Sequence, residues 1–386
     1  MNRSVLIVGF VLFVAMMGSN IPAPLYELYR VHFASTTFVM TAVFAVYPIA
    51  LVVMLIVFAR LPDRIGRRPV LALGIAAAAL GSIAFVVAQS IALLYAGRVL
   101  AAVAIGAVGA AGPPALVELD NKHDRRRAAL VATFAFSLAC GVAPFLSGVL
   151  AVVSAYPLIA PYVVQLVLCA LAFASLALVP ETRLPRPHED APVPQLVPSA
   201  RRAFLAAALT SGIVWWLASL FISILPAFVA TLLGVRSPAL QGALALIVFA
   251  VSPLAQVVGR RTSDRFAARA GLIGTVLALA AILGAVPAHS LALFALGSFV
   301  AGVAHGLGFL GAQSTINHIA PPAARARLSA RFYAITYLCI GVTVLGVGAL
   351  TARIGLYPAL TAVAAVVAVA ALALAVVIPA TGRAEA

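Results

Sequence analysis

From Ala128 to Pro180 the chain carries no Lys, Arg, Asp or Glu, and the same holds from Ala270 to Ala324. About 20 apolar residues suffice to take one helix across a bilayer, so each run is long enough for two crossings and a turn. Soluble domains usually carry about a quarter charged residues. Here the share is 9%, with 64% hydrophobic residues, which excludes a water-solvated fold. Turn signals at Gln89-Ser90, Ser154 to Pro161 and His289-Ser290 divide the long stretches. The pattern predicts twelve all-α membrane helices, at about 4–26, 35–59, 69–88, 91–117, 128–152, 158–179, 203–231, 238–259, 270–288, 291–318, 331–352 and 356–379.

A net charge of +15 could suggest a nucleic-acid partner, but its distribution argues against one. With the amino terminus assigned to the cytoplasm, 21 Lys and Arg fall in segments on that side, against Arg30, Arg236 and Arg353 on the other. This is the positive-inside bias. It predicts a multi-pass protein of the cell (inner or plasma) membrane with both termini cytoplasmic, and attraction to anionic lipid is a secondary consequence. The first apolar run is too long for a signal core and is followed by more spans, so it reads as helix 1. Cys140, Cys169 and Cys339 all fall within helices and form neither a disulfide framework nor a metal-binding spacing.

The segment from 180 to 202, "PETRLPRPHEDAPVPQLVPSARR", is rich in proline and mixed charge, the composition of a solvated connector. It separates an N-terminal six-helix bundle (1–179) from a C-terminal one (203–386). The halves are related. "RLPDRIGRR" at 60–68 and "RRTSDRFAAR" at 260–269 align with Asp63-Arg64 over Asp264-Arg265, 201 residues apart, and Arg68 over Arg269. "DRRRAAL" at 124–130 matches "ARARLSA" at 324–330 more loosely. Two matches, 201 and 200 residues apart, point to an internal repeat, and transporters built this way hold substrate between the halves near the midplane.

"RLPDRIGRRPVL" resembles the loop between helices 2 and 3 of the major facilitator superfamily, whose pattern is close to G-x-L-x-D-R-x-G-R-K/R. Asp63, Arg64, Gly66, Arg67 and Arg68 match it, and Ala59 replaces the leading Gly. "PETR" after helix 6 and Arg98 in "AGRVLAA" of helix 4 add to the likeness, as does "GVAPFLSG" at 141–148. That last stretch resembles the Gly-Pro motif of drug/proton antiporters, with Pro144 and Gly148 kept. The resemblance implies the major facilitator fold, two pseudo-symmetric six-helix bundles. It further implies that Asp63 and Arg67 join an acid at the end of helix 4, Glu118 or Asp120, in a latch on the inner face. Arg64, Gly66 and Arg68, with their repeat mates Asp264 and Arg265, belong to the same gate. Without the resemblance, the cluster reads as a solvated topological signal.

Several residues lie where substrate or protons can be handled. Arg98 sits about 10 Å deep in helix 4, where a charge faces a cavity or a partner or snorkels to the interface. Glu27 follows "NIPAPLY" (20–26), whose prolines disturb the backbone beside Asn20. Glu27 either faces Arg98, as a proton-exchanging pair, or stays beside Arg30. His305 lies near mid-bilayer in helix 10, with Gln313 and Asn317 further inward, and serves either in packing or in proton and substrate contact. Trp215 and Trp216 are mid-helix, as packing or as an aromatic wall for an apolar or cationic substrate. Pro144 and Gly148 give helix 5 a kink and close packing. No nucleotide-binding loop or catalytic constellation is visible, so neither an ATP-driven pump nor an enzyme is expected, and no ring of polar or charged groups suggests a channel.

The expected function is proton-coupled efflux of an amphipathic compound, with proton-coupled uptake of a small metabolite or organic anion as the alternative. No cofactor is implied. The expected partners are a small-molecule substrate, protons and membrane lipid, with no nucleic acid, and the chain is expected to be a monomer.

Overall fold

The computed structural model describes residues 2–120, 125–182, 198–320 and 325–378. Most of the expected linker and part of the 124–130 and 324–330 match lie outside them. Among the described residues, twelve helices are long and apolar enough to cross a membrane: Arg3–His32, Thr37–Val57, Arg67–Val86, Ile91–Leu119, Leu130–Val153, Ala160–Leu178, Pro198–Ser223, Pro238–Gly259, Asp264–Gly284, Leu291–Ile319, Leu328–Ile354 and Leu356–Val377. They are numbered here as spans 1 to 12. Both ends of the described chain lie on one face, called the basic face after its arginine-rich loops.

Local chemistry sets the boundaries. Thr36, Ser263 and Ser290 accept hydrogen bonds from the backbone N–H groups of Val39, Phe266 and Leu293 at 3.3, 3.2 and 3.2 Å, capping spans 2, 9 and 10. The cap at Ser263 starts span 9 six residues before the expected position 270, because a hydrogen-bond ladder can begin in charged sequence outside the apolar run. Span 1 is broken. Its helix runs Arg3–Asn20, gives way to a 3-10 turn at Ala23–Leu25, and resumes as Tyr26–His32. Pro22 and Pro24 have no N–H to continue the ladder. Span 7 breaks in the same register, at Ile224, before a helix Leu225–Leu232 that carries Pro226 in its first turn.

The two halves repeat one packing scheme. Span 4 packs on spans 1, 2 and 3, and span 10 on spans 7, 8 and 9, while span 3 meets 6 as span 9 meets 12. The halves join where span 5 lies along span 8 and span 2 along span 11. Gly148 and Gly242 bring spans 5 and 8 into backbone contact, at Pro238-Ala239 and Pro144-Phe145. Gly341 faces Ile49, Gly348 faces Thr41, and Tyr47 meets Tyr337 edge-on with ring centroids 6.4 Å apart. These approaches run from about mid-span to the face remote from the termini. There the helix Tyr26–His32 also packs on Leu225–Leu232. Toward the basic face, Val53 and Ile56, on the same face of span 2 as Ile49, are 53% and 73% exposed. The bundles are pressed together at the remote face and splay toward the basic one.

Candidate functional site

At the basic face, a short helix Leu61–Ile65 follows span 2 and places Asp63 beside span 3. Arg67 Nη1 lies 2.7 Å from Asp63 Oδ1, and its Nη2 lies 3.2 Å from Glu118 Oε1. Glu118, not Asp120, is therefore the acid that meets Arg67; Asp120 lies 3.6 Å from Arg127. Arg64 and Arg68 have exposed side chains. The N–H groups of Arg67 and Arg68 donate to the two carboxylate oxygens of Glu181 at 2.7 and 3.2 Å. An acid from the end of the first half thus caps span 3, where negative charge is favoured by the exposed N–H groups. Gly66 makes the approach possible, with φ of +102°, and a Cβ there would lie 2.7 Å from the Glu181 carboxyl.

The second half builds its counterpart differently. Asp264 Oδ2 lies 2.7 Å from His318 Nδ1. Ala268 stands where Arg67 would be in the 201-residue register, so a histidine replaces both the arginine and the acid. Arg265 leaves this pair and lines a small gap with Thr210, Ala268 and Thr315.

Arg98 is 1% exposed, which excludes snorkelling. Its Nη1 donates to Ser19 O at 2.5 Å and its Nη2 to Phe44 O at 3.4 Å. Both carbonyls belong to proline breaks. Ser19 O lies at the start of the break in span 1, and Phe44 O is the acceptor that Pro48, lacking an N–H, leaves unserved. The guanidinium carbon stands 4.8 Å from the Tyr47 ring centroid and 5.3 Å from that of Phe44. Ser147 of span 5 donates to Ile21 O at 2.9 Å, serving the same break. Glu27 does not meet Arg98. It takes two hydrogen bonds from Arg30, at 2.8 and 2.6 Å, because the helix resumes beyond Leu25 and carries both side chains to the remote face one turn apart. Asn20 donates to Met16 O and Ser19 Oγ, both at 2.9 Å, and lies 3.8 Å from Cys140 Sγ.

His305, also 1% exposed, holds its Nδ1 2.7 Å from Ser252 Oγ of span 8, and Gln256 donates to the same oxygen at 3.5 Å. Trp215 stands edge-on to His305 with centroids 4.5 Å apart, and Phe309 lies parallel to it at 6.1 Å. Trp216 is buried and is not among the rings that meet His305. Below His305, the stripe Phe309, Gln313 and Asn317, at four-residue spacing, opens stepwise: the first two are half-buried and Asn317 is exposed at the basic face. Tyr333 of span 11 donates to Gln313 Oε1 at 3.0 Å. In span 5 the helix continues through Pro144, whose carbonyl and that of Ile21 both receive the Ser147 hydroxyl.

Sequence reasoning missed Glu181 as a cap, Ser147, Ser252 and His318. "PETR" signalled only a likeness. Ser252 is one turn from Val248 and Gln256 in an apolar helix, and only the fold brings it to His305.

A family model described as the Major Facilitator Superfamily matches residues 8–260. No curated protein matches the chain. Among solved structures, the chain is similar to a POT family transporter in complex with 5-aminolevulinic acid, at TM-score 0.80 and 13% identity over 97% of this chain and 96% of that one. It is also similar to the xylose transporter XylE from E. coli in an inward open conformation, at TM-score 0.78 and 12% identity, covering 98% and 97%. The human organic anion transporter MFSD10 gives TM-score 0.70 and 16% identity, covering 97% and 99%. At these identities the likeness shows the fold.

Proposed function

The chain belongs to the major facilitator superfamily, as a multi-pass membrane transporter and not an enzyme, and from that premise we propose a proton-coupled carrier that works by alternating access. Its rigid bodies are residues 1–179 and 203–386, joined by 180–202, with the basic face cytoplasmic in the cell membrane and the chain acting as a monomer. The observation that carries this reading is the placement of His305. It is a titratable group buried near mid-span between spans 7, 8 and 10, at the end of a stripe that opens toward one face only. The remote-face packing between the halves supports an inward-facing conformer. The Asp63–Arg67–Glu118 network then supplies the part of the latch belonging to the first half, ready to engage the second when the basic face closes.

The paired state of Glu27 favours uptake over efflux. Antiport of a cationic drug calls for an acid that exchanges its proton for the drug, and Glu27 is already held by Arg30. His305 is a base. When protonated, it strengthens its hydrogen bond to an acceptor, so proton and substrate bind together and travel in one direction. Spans 7, 8, 9 and 11 bring no charged residue to it at mid-depth. Their charges (Arg201, Arg202, Asp264, Arg265, Arg269, Arg331 and Arg353) stand near span ends, and Tyr333, Tyr337 and Cys339 are the titratable groups on span 11.

The test uses purified protein in proteoliposomes, with the organic acid that most raises its unfolding temperature in a panel. Saturable accumulation driven by an imposed pH gradient, and lost on adding a protonophore, is expected. Unsaturable flux, or flux indifferent to the gradient, would overturn the reading.

A further inference from the structure

The charges of the spans restrict what the central site can hold. Asp and Glu occur in the spans only as Glu27, Glu118 and Asp264, engaged by Arg30, Arg67 and His318. The middle of the molecule therefore offers no carboxylate to a cation stripped of its water. Its one guanidinium, Arg98, adds positive potential, and an uncompensated charge at that depth is expensive.

Two of the unmet hydrogen-bonding atoms, on neighbouring spans 7 and 10, point to the same class. Trp215 Nε1 is buried without a partner, and an indole N–H only donates. His305 Nε2 is also buried without a partner. In the tautomer whose Nδ1 accepts from the Ser252 hydroxyl, the ring proton stands on Nε2. A protonated ring carries a proton on Nε2 as well, so this atom is a donor in either state. Buried polar atoms ordinarily find partners, and these two stand within rings: Trp215 and Phe249 have centroids 4.5 and 6.0 Å from His305.

Resting on the carrier reading, we infer that this site takes flat aromatic compounds bearing a hydrogen-bond acceptor, neutral or anionic, and rejects permanent cations.

Trp215 and Trp216 are the chain's two tryptophans, so its intrinsic fluorescence reports this region. Three probes share a bromophenyl ring, a heavy-atom quencher: 4-bromobenzoate, its methyl ester and (4-bromobenzyl)trimethylammonium. Benzoate and ester are expected to quench saturably, at concentrations at least about tenfold below the ammonium, as for one lost hydrogen bond plus charge repulsion. His305→Phe keeps a ring and removes the donor. It is expected to raise the benzoate midpoint roughly tenfold and leave the ammonium response unchanged; an unmoved benzoate midpoint would refute the donor assignment. The wild-type series decides the class even if that variant does not fold. Ammonium quenching as readily as benzoate overturns the class and leaves the carrier standing. No saturable quenching by any probe overturns the site. Tight benzoate binding without flux in proteoliposomes instead defeats the carrier reading alone.

Discussion

Arg98 shows how a residue that reads as functional from its depth can also be a keystone of the backbone. A guanidinium is planar and presents several donors at once, and here two of them reach carbonyls on different spans, each left open by a proline break. Arg98→Ala strands both acceptors and removes the cation from the Tyr47 and Phe44 rings. The expected loss is about 3–5 kcal/mol, from charged hydrogen bonds and a desolvated cation–π contact, read as a lower unfolding temperature in detergent. Arg98→Lys keeps the charge, but one ammonium cannot span both carbonyls, so about half that loss is expected. If the variant unfolds at the wild-type temperature and only transport suffers, Arg98 serves substrate or proton and not the backbone. The arginine and the prolines were each visible in the sequence. Their meeting was not, because Ser19 and Phe44 are 79 and 54 residues from Arg98 in the chain, and no local pattern encodes which carbonyl a side chain reaches.

At the scale of helices, the ends divide into those capped by their own neighbours and those capped from afar. Span 9 carries its cap in Ser263, one residue before its first turn, and such caps are legible. Span 3 begins at a glycine that contributes no side chain, and its donors wait for Glu181, more than 110 residues away. Gly66 combines φ of +102° with ψ of 162°, a region open essentially to glycine alone. Gly66→Ala is therefore expected to cost about 2–3 kcal/mol from strain and displacement of the carboxylate, and Glu181→Gln about 1 kcal/mol from the lost charge at the helix end. Both act through one cap, so a double-mutant cycle followed by thermal unfolding should show clear non-additivity. Simple addition of the two losses would mean that Gly66 is required for the turn and not for the approach of Glu181. The apolar runs gave the number and order of the spans well, since membrane burial is a property of composition. They placed the ends less well: hydrogen-bond ladders extend into charged sequence at Asp264 and restart after the prolines at Tyr26.

For the whole molecule, the repeat explains why the same places recur as interfaces and breaks, and the departures from symmetry show where the halves have separate tasks. The first half fastens its basic-face end with an arginine between two acids, and the second with one histidine on one acid. The first half buries a guanidinium at depth, and the second buries an imidazole. This division fits the proposed alternating access, in which the bundles rock about a central site whose exposure changes. Because the close approaches between bundles lie toward the remote face, a label should reach the molecule from the basic side only. In a chain whose three cysteines are replaced by alanine, Asn317→Cys is expected to react quickly with a charged thiol reagent in detergent. Ser223→Cys, 8% exposed at the break of span 7, is expected to react at least about tenfold more slowly, as for a group opened only by a minor conformer. A bound substrate that drives the exchange of states should narrow that ratio, slowing position 317 and quickening position 223. Equal rates without ligand would mean that the two faces are equally open, and the inward-facing assignment would then have to be given up.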